Sequence, residues 1–490
     1  MQLLDKNILA FNSQTYMPMS VAKKSILAYI FALCAVSVLY LEQIFPLWLW
    51  GFGIVSILLF FLGSNYLTKQ WHNISSATYV KRLLLYSFLI RLVYVIFIYN
   101  FNWLHYDTFY ESSVGDIMFY VPSAKTLSDQ FANGSWLEAI QLWLSWDVQI
   151  SDMGYIIYLA FVYLITAGVS EVILPLILKA LYGAITCVLV YRIAQRHFGE
   201  QVARMAGIFC MLQFTLIWWC GSMMKETEMI VLATLYVNLV DKVLSKGRFK
   251  MKELIGAAIV GLILYTFRAA LCLVGFAALF LSLLLAKKEI VNTWKKVVVG
   301  AIMFVVFLFA YSGGLSDFMD DTKDAVTDTS AQSDNMEWRT EREHGNSFAK
   351  YAGASVFAPM IFTIPFPTMN YILQGQEHIM MQSGGYFVKN VFSFFVILVF
   401  LMLLFSGKWR EHVFPIAFMC GYLVALVFSN FAQSGRFHMP IMPLFMMFAA
   451  YGMSFMNIKR IDRWYNYVLA LEIVVCIAWA WFKLAGRGLA

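Results

Sequence analysis

The chain has 490 residues, 61% of them hydrophobic and 13% charged, with a net charge of +7 and a mean hydropathy of +0.69. A soluble protein carries about 25% charged residues; a chain this long with half that density could not cover its own surface in water, and lipid is the solvent that removes the difficulty. The Lys and Arg sit in short clusters between apolar runs, which is the pattern of membrane topology rather than of nucleic-acid binding, and the seven scattered cysteines have no spacing that suggests a disulfide framework or a zinc site.

The first 24 residues are mixed polar. The apolar run that follows is too long for the hydrophobic region of a signal peptide, so we read it as a retained transmembrane helix. Crossing the hydrocarbon takes about 20 apolar residues, and about thirteen runs qualify. They start near Ser25, Ile44, Leu83, Val172, Met205, Thr227, Leu254, Ala269, Val297, Val391, Val413, Ile441 and Tyr467. The expected fold is therefore all-α: a polytopic bundle of about thirteen transmembrane helices.

Orientation follows from the basic groups. They lie at Lys23 and Lys24; Lys69, Lys81 and Arg82; Arg192, Arg196 and Arg204; Lys242 to Lys252; Lys287 to Lys296; Lys408 and Arg410; and Lys459, Arg460 and Arg463. Every second connection is basic. Placing all of them in the cytoplasm puts the N-terminus inside and the C-terminus outside. The chain then divides into an N-terminal cytoplasmic segment with two additional helices (1–82), a membrane core (83–313) carrying a first outer loop (101–170), a second outer loop (314–390), and the C-terminal helices (391–490). In the first loop, 137–146 (LEAIQLWLSW) is amphipathic and 154–166 is a short apolar piece; both suit helices at the membrane interface. The second loop starts acidic over 317–343 and turns apolar and proline-bearing over 357–371, where we expect it to dip back to the bilayer.

Four groups of polar residues stand out on the outer side. In 115–127 (GDIMFYVPSAKTL), Asp116, Tyr120, Ala124 and Leu127 share one helical face. Asp116 is either a solvated residue near a helix N-terminus, where a carboxylate is favoured, or a carboxylate at the mouth of a cavity, available as a general base. His105, Asp107 and Glu111 lie close by in sequence. Lys225, Glu226 and Glu228 cluster at a span's outer edge, where they either snorkel or line a cavity. Arg268 interrupts LILYTFRAALCLVGF. Whether the helix continues through it or turns there, it should face protein, water or an anion; the alternatives are a structural salt bridge and a bidentate phosphate site. Arg436 and His438, in SGRFHMPIMP, put an arginine outside against the inside bias, for which an anionic ligand or lipid headgroup is a reason. An apolar body with polar groups collected at one face suits a substrate with an apolar tail and an anionic head.

Asp116-x3-Tyr120-x3-Ala124-x2-Leu127, with Asn133-Gly134-Ser135-Trp136 after it, resembles the first luminal or periplasmic loop of the GT-C superfamily. These are integral membrane glycosyltransferases that use polyprenyl-phosphate-linked sugars, such as the protein mannosyltransferases and bacterial aminoarabinose transferases. The Lys225-Glu226 edge, the hairpin around Arg268 and Arg436-Phe437-His438-x-Pro440 continue the resemblance over 83–456. Two spans precede the usual first helix, the acidic pair is reduced to Gly115-Asp116, and 314–390 matches nothing in the family.

The resemblance implies an inverting transferase at the periplasmic face of a bacterial inner membrane. Asp116 would act as base. Tyr120, His105, Glu111, Lys225, Glu226, Arg268, Arg436 and His438 would bind substrate. The partners would be the bilayer, a polyprenyl-phosphate-linked sugar donor and a glycan, lipid or protein acceptor, with no nucleic acid. No cofactor is required; the carboxylates could take a divalent cation, although no ligand motif stands behind one. The alternatives are a Wzy-type polysaccharide polymerase or O-antigen ligase, in which basic residues would dominate the site, and a non-enzymatic transporter of lipid-linked glycans, which would carry ionisable residues near the midplane and broken, repeat-related helices.

Overall fold

The structure is a computed structural model that describes residues 15–111, 115–145, 150–166, 172–245, 251–285, 346, 348, 354–371, 377–429 and 431–489. The described residues are helical throughout and contain no strand. In chain order the helices are α1 (Met19–Leu39), α2 (Leu47–Gln70), α3 (Ser76–Tyr106), α4 (Gly115–Ala132), α5 (Trp136–Ser145), α6 (Ile150–Ile165), α7 (Ile173–Phe198), α8 (Glu200–Leu212), α9 (Phe214–Trp218), α10 (Glu226–Leu244), α11 (Met251–Phe267) and α12 (Ala269–Leu285). After 286–345 come the single turn α13 (Ala354–Phe357), α14 (Glu377–Met380), α15 (Ser383–Ser406), α16 (Val413–Phe428), the single turn α17 (Gly435–His438), α18 (Met442–Met453) and α19 (Lys459–Ala485).

Among the described residues six helices are long and apolar enough to cross a membrane: α1, α2, α3, α7, α14 with α15 as one piece, and α19. The pair α8–α9, bent by 53°, brings the number to seven if it counts as one span, and α6, α12 and α16 are shorter apolar helices. The chain is a multi-pass membrane protein. Its long helices carry large apolar side chains facing outward, among them Leu27, Phe31, Leu59, Val93, Tyr467 and Leu471, each more than 60% exposed. In water such a surface would be a liability; in lipid it is a solvated one.

Twelve of the thirteen expected runs coincide with helices, though several of these fall short of the length and hydropathy that mark a span. The run from Val297 and the acidic stretch 317–343 lie outside the described residues. Helices begin before the expected runs at Met19, Ser76, Ser383 and Lys459, and one run is broken. The helix expected from Val391 already begins at Ser383, because Lys389 and Asn390 turn inward, donating to the carbonyls of Ile364 (Lys389), Thr363 and Pro365 (Asn390) instead of meeting water. The run from Met205 is broken at Gln213.

That break is held by Arg91, buried in the middle of α3, which donates to the carbonyls of Cys210 and Met211 at 3.2 and 3.3 Å. These are the carbonyls that a bend at Gln213 leaves without their helical partners. Around it α7 packs on α3, α8 and α10, α18 on α8 and α15, and α1 on α19. The aromatic rings of Phe60, Phe209 and Phe392 meet at 5.0–5.9 Å where α2, α8 and α15 converge. At one end of the bundle Arg196 and His197 pair with Asp241, and Arg204 with Glu200. At the other, α4, α5 and α6 form a cap, with α6 packed between α4 and α11.

Candidate functional site: an ion-pair cluster under the α4–α6 cap

Helix α4 turns one face inward. Ile117, Tyr120, Ala124 and Leu127 are buried, and Asp116, in the first turn of the same helix, is 39% exposed at its side chain. The face read from the sequence is the face that packs. It rests on α6, whose first turn carries Asp152. The Tyr120 hydroxyl donates to Asp152 Oδ1 at 2.5 Å, and the Lys225 ammonium pairs with the same oxygen. Close approach of α6 to α11 depends on Gly154, where a Cβ would meet Thr266 Oγ1 at 2.1 Å.

Lys225 is the residue just before α10, and Glu226 opens that helix with no exposed surface. Arg436, on the single turn α17, reaches both helices. One terminal nitrogen lies 2.5 Å from Asp116 Oδ2, and Nε lies 2.6 Å from Glu226 Oε1. The second approach is a charge contact without hydrogen-bond alignment, so both Glu226 carboxylate oxygens are buried without a hydrogen bond. The position of α17 depends on Gly435, over which the Tyr386 ring lies so closely that a Cβ would fall 1.9 Å from its hydroxyl.

Arg268 is the single residue between α11 and α12, and Gly261 and Gly275 on either side of it both face the Tyr236 ring, so the chain turns there. It donates to the Tyr422 hydroxyl at 3.1 Å. Its guanidinium lies 4.2 Å from the centre of the Phe437 ring, and that of Arg436 lies 5.2 Å from the same ring. Among the described residues Arg268 makes no ion pair. The cluster thus joins three carboxylates, Asp116, Asp152 and Glu226, to three cations, Lys225, Arg268 and Arg436, and Arg268 is the cation left without a carboxylate.

The environment sets the charges. Burial alone would lower the Arg436 pKa, but the carboxylates of Glu226 and Asp116 outweigh it and hold the guanidinium above its ordinary range. Burial pulls the Lys225 ammonium below its ordinary range, opposed by Asp152. Burial, and then the Asp152 charge, push the Tyr120 phenol well up, so it acts as a hydrogen-bond donor and not as a base.

Six of the nine sequence candidates therefore meet: Asp116, Tyr120, Lys225, Glu226, Arg268 and Arg436. Three do not. His105 is exposed and stacks on Phe101 at 4.1 Å. Glu111, beyond the end of α3, is buried 3.5 Å from His378 of α14 without a hydrogen bond to it, and burial lifts its carboxyl to about 8. His438 leaves Arg436 on the same turn and points into the core, its Nε2 2.8 Å from the Ala432 carbonyl. Glu228, beside Glu226 in sequence, instead forms a buried pair with Lys179 of α7 at 2.5 Å.

Asp152 and Tyr422 are not among the sequence candidates, and Phe437 enters there only within Arg436-Phe437-His438-x-Pro440. Asp152 carried a signal, an acidic residue at the start of an apolar helix, but the aromatic run after it reads as an interfacial helix. Tyr422 carried none. Among the described residues no group of three or more His, Cys, Asp and Glu is arranged to hold a metal ion; Asp116 and Glu226 share Arg436, and Asp152 is taken by Lys225 and Tyr120.

No protein-family model matches the chain, and no curated protein matches it.

Proposed function

We propose that the chain is an inverting glycosyltransferase of the GT-C kind, taking a sugar from a polyprenyl-phosphate-linked donor at the periplasmic face of a bacterial inner membrane. The observation that carries this reading is Arg268, without an ion pair among the described residues, on the same Phe437 ring as the Arg436 that holds Asp116 and Glu226, at the end of a lipid-embedded bundle. A cation without a carboxylate, held by a tyrosine hydroxyl and an aromatic face, suits the phosphate of a donor whose tail stays in the bilayer. About thirteen spans and an N-terminus inside agree with the basic connections.

In the chemistry we infer, the donor phosphate docks on Arg268 and competes with Asp116 for Arg436. That competition frees the Asp116 carboxylate. Asp116 then takes the proton of an acceptor hydroxyl, whose oxygen attacks the anomeric carbon from the face opposite the phosphate. The bond from that carbon to the phosphate oxygen breaks, and polyprenyl phosphate leaves with the electron pair. Charge grows on the departing phosphate, where a preorganised guanidinium stabilises the transition state. Tyr120 and Lys225 keep Asp152 neutralised and α6 in place.

One observation favours a polymerase or ligase of oligosaccharide units instead: two guanidiniums flank Phe437, while Asp116 is bound to one of them. In such an enzyme cations dominate, and Asp116 holds Arg436 without taking a proton. Envelope glycans profiled in a strain lacking the protein, complemented with Asp116→Asn or Arg268→Ala at matched expression, separate the two. Loss of one glycan with both variants supports the base mechanism, since a general base contributes about 10²–10⁴-fold. Loss with Arg268→Ala alone favours the polymerase or ligase.

A further inference from the structure

A cavity of about 240 Å³ opens where the start of α15, the turn before α17 and the end of α19 meet. Its lining includes apolar Phe366, Ile379 and Trp479 and polar Ser434, Lys483 and Arg487. Ile379 is 46% exposed although a large aliphatic side chain. Lys483 extends over the Trp479 ring at 4.8 Å, and Arg487 donates to the Lys483 carbonyl at 2.9 Å, which keeps both cations at the end of α19 beside Trp479.

We propose that this cavity binds a phospholipid of the surrounding bilayer, with its phosphate against Lys483 and Arg487 and the first part of its acyl chains against Ile379, Phe366 and Trp479. Three observations point to this occupant. The cavity lies at the ends of two membrane-spanning helices, Glu377–Ser406 and Lys459–Ala485, which is the level of lipid headgroups. Its lining sets two cations directly beside apolar side chains, the two chemistries that a phospholipid headgroup and its first methylenes meet. Its volume is below the roughly 300–1,000 Å³ of pockets that enclose whole small molecules, so it seats a headgroup and leaves the tails outside.

Gly435 lies in the cavity wall and also fixes the turn that carries Arg436. A lipid seated there would hold α17, and thus Arg436, in position. The inference concerns binding and does not rest on the transferase reading.

The full-length chain in detergent, titrated with phosphatidylglycerol and followed by native mass spectrometry, tests it. One retained lipid per chain is expected, weakened at least tenfold by Lys483→Gln with Arg487→Gln, and equally by Ile379→Trp, which fills the cavity without altering charge. The proposal is overturned if both variants bind as the unmodified chain does. It is also overturned if the charge variant alone loses lipid, which marks surface adsorption. Displacement of the lipid by millimolar inorganic phosphate would mark a simple anion site. Retention of undecaprenyl phosphate but not phosphatidylglycerol would assign the cavity to a substrate.

Discussion

Arg436 reaches two carboxylates at once, within hydrogen-bond range of Asp116 at 2.5 Å and in charge contact with Glu226 at 2.6 Å, an approach that the width of its planar guanidinium allows. Glu226, fully buried, would otherwise be an uncompensated charge, which is costly. Glu111 follows a different rule. No guanidinium reaches it; burial alone raises its carboxyl from 4.5 to about 8, with His378 3.5 Å away. The folded state then keeps a proton that the unfolded chain gives up above about 4.5, so this residue's contribution to stability falls as pH rises from 4.5 through about 8. Thermal unfolding measured across that window is expected to show a shallower decline with pH in Glu111→Gln than in the unmodified chain; identical slopes would mean Glu111 is not buried as a neutral acid. These residues differ in how legible they were. Asp116 with Tyr120, Arg268 and Arg436 announced themselves as lone polar groups in apolar or outward-placed sequence. Asp152 did not, because the lysine that gives it meaning lies 73 residues later.

Helices here are joined by buried charges as well as by apolar packing. Lys179 of α7 and Glu228 of α10 pair at 2.5 Å with almost no exposure, and Lys179 also donates to the Met224 carbonyl. Removing one partner of such a pair strands the other, at about 3–5 kcal/mol. Lys179→Met should therefore lower the melting temperature of the detergent-solubilised protein strongly, and adding Glu228→Gln should restore part of the loss; a melting temperature unchanged by Lys179→Met would contradict the pair. The run of apolar residues made most helices readable, since length and hydropathy are local properties. The break at Gln213 was not, because its cause is Arg91, about 120 residues earlier, bonding to the Met211 carbonyl. For the same reason the inward turn of Lys389 onto the Ile364 carbonyl could not be anticipated.

At the scale of the whole molecule, lipid-facing apolar surface surrounds the long helices, and a cluster of three carboxylates and three cations sits at one end beneath the α4–α6 cap. The arrangement sets a polar cluster at the end of an apolar body, the division that the proposed lipid-linked donor would need. The class of protein was legible from composition, because 13% charge over 490 residues leaves few alternatives to lipid. The convergence of residues from α4, α6, α10, α17 and the α11–α12 turn was not, because helix order in sequence does not fix which ends meet. On our proposal, this cluster breaks the bond between a sugar and polyprenyl phosphate. That step is tested most directly by mass spectrometry of the lipids in membranes with and without the chain. The account predicts polyprenyl monophosphate released in the presence of the unmodified chain and reduced about 10²-fold or more by Asp116→Asn. Release that is the same without the chain, or release of a polyprenyl diphosphate, would contradict it.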